Sequence, residues 1–135
     1  MDDLHYLRGA IPDFAGYEDE TTRRLSDEQV RAVAGSALAQ LGSPHADFFK
    51  DGLQEQYQGL LLKCGFANQA AFKHIAHAQL SNEQIQALEA ADARLIRLLQ
   101  TAEQTAAGNL QAYLDSVQAA LKARDDAMMG VAMPA

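Results

Sequence analysis

A single cysteine, Cys64, rules out a disulfide within the chain, so the fold must be held by packing, and the chain reads as cytoplasmic rather than as a stapled secreted module. No apolar run approaches the roughly 18 residues of a membrane-spanning helix. The opening MDDLHYLRGAIPDF carries acids where a secretory signal carries bases. β-Branched residues are scarce and no segment alternates apolar and polar positions between hairpin turns, which argues against strands. Bases are also few: Lys and Arg total 11 against 18 Asp and Glu, a net charge of -7 that opposes gripping a phosphate backbone. Neither nucleic acid nor membrane is an expected partner. The chain has no glycine-rich phosphate loop, serine-nucleophile elbow, Cys-x-x-Cys pair or His-Glu-x-x-His. No catalytic residue and no cofactor follow from motifs, and the expectation leans away from an enzyme.

What the chain has is Ala, Leu and Gln in helical patterns, at a length of 135 residues that suits one domain. The expected fold is all-α, a single-domain bundle of four to five helices. It divides into an irregular N-terminal arm at 1–24, a bundle at 25–130 and a tail at 131–135. Gly9, Pro12 and Gly16 punctuate the arm, where Asp3–Arg8 allows a short helical turn and Phe14 and Tyr17 can hook it onto the bundle or onto another subunit. The acid surplus is concentrated in residues 1–28, with eight acids against three bases. Glu18, Asp19, Glu20, Asp27 and Glu28 read as a solvated face.

The first long helix is expected to start at Ser26, because Ser26 and Gln29 form the S-x-x-Q of a capping box, with Leu25 and Val30 as its hydrophobic staple. Its stripe is Val30, Val33, Ala34, Ala37, Leu38 and Leu41, and Gly42 ends it. Ser43-Pro44 opens a second helix ending at Gly65, in which Gly52 and Gly59 offer room for close approach. Asn68 caps a short third. LSNEQI at 80–85 repeats the type pattern of LSDEQV at 25–30, and the match fades beyond the six residues, so two uses of one capping device explain it better than duplication. From Leu80 to Ala127 the apolar spacing is broken only at Gly108-Asn109, which predicts two helices that bend or fold back.

Candidate functional residues are few. His74 and His77, at i and i+3, place two imidazoles on one side of a helix, the most suggestive metal or haem ligands, with His45, Asp47, Glu55 or Cys64 to supply a third. A small-molecule pocket is expected between the second and third helices, lined by Phe48, Phe49, Tyr57 and Phe72 beside the two histidines. Cys64 reads as a small buried apolar residue, since a helix C-terminus disfavours the thiolate. Asp92 interrupts an apolar row and is expected at a wetted edge. If buried against an arginine or histidine from another helix, it becomes the leading functional candidate. The favoured function is protein–protein association, as a homodimer or with a regulatory partner, through a broad apolar face on the last two helices. The alternative is a small-molecule, metal or haem-binding module using His74 and His77.

Overall fold

The computed structural model describes residues 3–42, 53–66, 68–101 and 110–130. Among them are six α-helices, one 3-10 turn and no strand, so the protein is an all-α bundle. The helices are α1 (Asp3–Ala10), α2 (Arg23–Gly42), α3 (Gln54–Gly65), α4 (Gln69–Ala76), α5 (Asn82–Gln100) and α6 (Leu110–Gly130). No helix among the described residues is long and apolar enough to cross a membrane.

Two antiparallel pairs build the bundle. In the first, α5 and α6 run against each other, as the Tyr113 hydroxyl donates to the Leu98 carbonyl (2.9 Å) at one end and Arg124 meets Asp92 further along. In the second, the Tyr57 hydroxyl of α3 donates to the Leu38 carbonyl of α2 (2.6 Å), and Arg31 of α2 reaches the Cys64 carbonyl of α3 (3.3 Å). Helix α1 lies along α5, and α4 packs on α6. The core follows the predicted stripes: Val30, Ala34, Leu38 and Leu41 from α2, Leu88, Leu95 and Leu99 from α5, and Tyr113, Leu114, Val117 and Leu121 from α6 are all buried. The broad apolar face of α5 is needed inside one chain, because α1, α2 and α6 all pack against that helix.

The described part of the N-terminal arm, residues 3–24, packs on the bundle. Leu7, Ile11, Phe14 and Tyr17 join the same core as the later helices, and Phe14 meets Tyr17 edge-to-face with ring centroids 6.1 Å apart. The short turn foreseen at Asp3–Arg8 is the helix α1. Arg97 on α5 clamps α1 by an ion pair with Asp3 (3.2 Å) and by lying 4.3 Å from the centre of the Tyr6 ring. Residues 131–135 lie outside the described residues.

Of the two look-alike segments, one is a capping box. At 81–84 the Ser81 hydroxyl accepts from the Gln84 amide (3.2 Å) and the Gln84 side chain accepts from the Ser81 amide (2.8 Å), so both bonds of the box form. At 26–29 the expectation fails, because α2 starts at Arg23 and places Ser26 inside its first turns. Ser26 donates to the Gly16 carbonyl (2.5 Å), while Gln29 accepts from the Ala15 amide (3.1 Å) and donates to the Asp13 carbonyl (2.9 Å). Both side chains thus hold the 13–16 loop, whose turn uses positive φ at Asp13 (59°) and Gly16 (85°). Leu25, the expected staple, is 48% exposed. Asn68 does cap α4, accepting from the Ala71 amide (3.1 Å).

The close approach between helices is at Gly35, where a Cβ would lie 3.3 Å from Cys64 Cβ, and not at Gly59, which has nothing within 4 Å. Gly52 and the break at Gly108-Asn109 fall outside the described residues, as does the start of the second predicted helix; α5 and α6 do fold back as expected. Gly59→Ala should therefore stabilise the protein by about 0.5–1 kcal/mol through helix propensity. Gly35→Leu should destabilise it by about 1–3 kcal/mol through overpacking against Cys64. Urea unfolding of the two variants checks both signs.

Candidate functional site

The chemistry of this chain gathers around a buried chain of charges that joins the loop before α2 to three helices. Asp92 is 2% exposed, not at a wetted edge, and its partner comes from another helix: Arg124 Nε donates to Asp92 Oδ1 (2.5 Å). The Tyr17 hydroxyl donates to Asp92 Oδ2. Arg124 Nη2 donates to Asp27 Oδ1 (2.8 Å), and Arg31 Nε donates to Asp27 Oδ2 (3.0 Å). Asp27, expected on the solvated acidic face, is thus buried, while Glu18, Asp19, Glu20 and Glu28 are exposed. Two carboxylates face two guanidiniums, so the charge balances where solvent cannot screen it.

Each titration shift has a local cause. Burial raises the Asp92 carboxyl above the usual carboxylate range, against the pull of Arg124 and the Tyr17 hydrogen bond. Burial also lifts the Tyr17 phenol well above its ordinary value, and the Asp92 carboxylate lifts it further. Burial alone would lower Arg124, but Asp92, Tyr17 and Asp27 together hold its guanidinium well above its ordinary value. Tyr17 and Asp92 are sealed from solvent, so no substrate can reach the phenol or that carboxylate, and acid–base chemistry at this pair is excluded by access.

A second buried arginine does a structural job. Arg23 donates from Nε to the Tyr17 carbonyl (2.9 Å) and from Nη1 to the carbonyls of Ile75 (2.6 Å) and Ala78 (2.7 Å). It satisfies carbonyls left open at the C-terminal end of α4 and complements the negative end of that helix dipole.

The Asp27 end of the charge chain reaches an open groove of about 350 Å³ between α2, α3, α4 and α6. Its inner surface carries Asp27, Arg31 and Arg124; Leu121 and Met128 of α6 add apolar surface, and Leu62, Lys63 and Phe66 flank it from the end of α3. Leu62 is 61% exposed and Phe66 71%. Asn68 and Asp125 complete the rim, joined by a hydrogen bond from Asn68 Nδ2 (3.0 Å).

The residues singled out by spacing lie elsewhere. Tyr57 is a core residue bonded to Leu38, and Phe72 is buried under Arg24, whose guanidinium carbon lies 4.9 Å from the ring centre. His74 is half-buried on α4, whereas His77 caps its C-terminus in solvent, with Nδ1 2.8 Å from Glu20 Oε1. None of these four lines the groove. Among the described residues no three His, Cys, Asp or Glu side chains gather as a metal site, so His74 and His77 acquire no third ligand there. Phe48, Phe49, His45 and Asp47 lie outside the described residues. Cys64 is buried, and burial pushes its thiol up, as a small core residue requires.

Arg124 was missed by motif reading. Its signal is nonetheless present: Val117, Leu121, Arg124 and Met128 share one face of α6, and a base inside that row answers the acid inside the row of α5. The class defined by this fold and site is an all-α bundle closed by an internal charge chain with a groove at one end. Among known proteins the chain matches no family model, no curated protein and no solved structure.

Truncating one member of the Asp92–Arg124 pair strands the other. Asp92→Leu and Arg124→Met should each destabilise the protein by about 3–5 kcal/mol. The double variant should be less damaged than the sum by about 1–3 kcal/mol, measured as a double-mutant cycle in urea.

The tyrosines offer a pH test, since the chain has four of them and no tryptophan to obscure tyrosinate absorbance. A raised phenol pKa stabilises the folded state fully below the ordinary value of 10.0, and that stability is lost as pH climbs through the folded value, about 12 for Tyr113. Stability should therefore decline from pH 10.0 upward, and wild type and Tyr17→Phe should show equal tyrosinate amplitude while helical circular dichroism is intact. A Tyr17 contribution before unfolding would contradict its burial.

Proposed function

We propose that this protein is a non-catalytic binding module and that its working surface is the groove between α2, α3, α4 and α6. The observation that carries the reading is the meeting of two features that a purely structural surface does not need: a floor of buried charge and a flank of exposed apolar side chains, Leu62 and Phe66. Of the residues first expected around a pocket, Phe48 and Phe49 lie outside the described residues, and His77 lines a separate shallow groove with Glu20 and Arg23, where it is engaged with Glu20.

Association with a second copy or another protein is a second reading, favoured by the exposure of Phe66 and Leu62 in one patch. It transfers the expected interface from the last two helices, whose apolar faces are used within the bundle, to the end of α3.

A heteronuclear NMR screen of small fragments of mixed charge tests the binding module directly. Shift changes should cluster at Arg31, Lys63, Phe66, Arg124 and Met128. Fragments that bind only elsewhere, or none that bind at all, would count against the groove. Sedimentation at micromolar concentration, with Leu62→Ser/Phe66→Ser as the comparison, separates the protein-association reading, since only association predicts a species heavier than 14.6 kDa that the double variant loses.

A further inference from the structure

We infer that the groove takes a small carboxylate with an apolar body, the carboxylate held by the groove-facing nitrogens of Arg124 and Arg31 and by Lys63, the body lying on Phe66 and Leu62. This rests on the groove being the working surface and adds the ligand class.

The argument begins with hydrogen-bond accounting. Arg124 uses Nε on Asp92 and Nη2 on Asp27, and among the described residues no protein group bonds its Nη1. No enclosed side-chain nitrogen or oxygen lacks a partner among the described residues, so Nη1 is not enclosed. Arg124 is 4% exposed and lines the groove. Arg31 repeats the pattern: Nε goes to Asp27, Nη1 to the Cys64 carbonyl, and Nη2 has no protein partner among the described residues. Lys63 lines the same groove at an exposed position.

Three cationic side chains, Arg31, Lys63 and Arg124, line the groove against two carboxylates, Asp27 and Asp125. Asp27 already accepts from both guanidiniums, and Asp125 accepts from Asn68. The groove therefore presents a surplus of cationic donors, which an anion's acceptors complement through charge-assisted hydrogen bonds. A buried guanidinium held rigid by two carboxylates is already positioned, so little side-chain entropy is lost on binding. The apolar half of the ligand follows from Leu62, Phe66, Leu121 and Met128 around the same space. At about 350 Å³ the groove sits at the small end of ligand sites, which favours a small molecule over a helix or an extended peptide.

The test uses the full chain and three probes sharing one tail: octanoate, octanamide and octylammonium, titrated by calorimetry and mapped by NMR. Octanoate should bind at the groove at least about tenfold more tightly than octanamide, and octylammonium weakest of all, as expected where charge-assisted bonds decide. Lys63→Gln, at an exposed position, should shrink the octanoate preference several-fold. Phe66→Ser should weaken octanoate and octanamide alike. Equal affinity for octanoate and octanamide, or a preference for octylammonium, would overturn the carboxylate assignment while leaving the groove as the binding surface. Groove signals unmoved by all three probes would overturn the carboxylate, and by the fragments as well, the groove reading too.

Discussion

The rest of the bundle depends on one constraint: two carboxylates taken out of water must each keep their arginine. Asp92 and Asp27 sit on apolar rows of α5 and α2, where either alone would cost several kcal/mol. Arg124 answers both at once because α6 lies antiparallel to α5 and within reach of α2. The position of α6 is therefore fixed by bond geometry as well as by apolar contact, whereas an all-leucine interface would allow sliding and rotation. Tyr17 extends the same constraint to the N-terminal segment, since its hydroxyl supplies the second oxygen of Asp92 with a donor.

That extension explains why residues 3–24 pack against the core. Ser26 and Gln29 hold the loop at 13–16 from the α2 side, Arg23 holds the Tyr17 carbonyl and the end of α4, and α1 is clamped by Arg97. Three polar side chains within seven residues of α2 thus organise segments on either side of the helix. The groove inherits this rigidity: its floor is the last link of the charge chain, and only its flank from the end of α3 stands out into solvent.

The fold class, the helix stripes and the Ser81 and Asn68 caps were readable in the sequence because they depend on spacing and on neighbours within one turn. The identical pattern at Ser26 misled for the same reason: a capping box specifies which groups can bond, but tertiary carbonyls at Gly16 and Asp13 competed for them. Pairings across 32 to 97 residues, such as Arg124 with Asp92 and Asp27, leave only a faint trace, a charge placed inside an apolar row. Read one helix at a time, such a charge looks like an edge residue. Read as acids and bases interrupting the rows of three different helices, Asp27, Asp92 and Arg124 point to one another. The groove had no trace at all, because its flank is made where α3 ends and exposed apolar residues there look like ordinary helix ends.

The placement of Arg124 late in the chain also sets an order of events during synthesis. A ribosome delivers Tyr17, Asp27, Arg31 and Asp92 well before the cation that joins them, so α1 to α5 emerge with an acid in an apolar row and nothing to neutralise it. The partial bundle has reason to stay open and hydrated around Asp92 until α6 arrives. Completion of the charge chain is thereby tied to α6, and a chain without Arg124 leaves the Asp92 carboxylate without its cation.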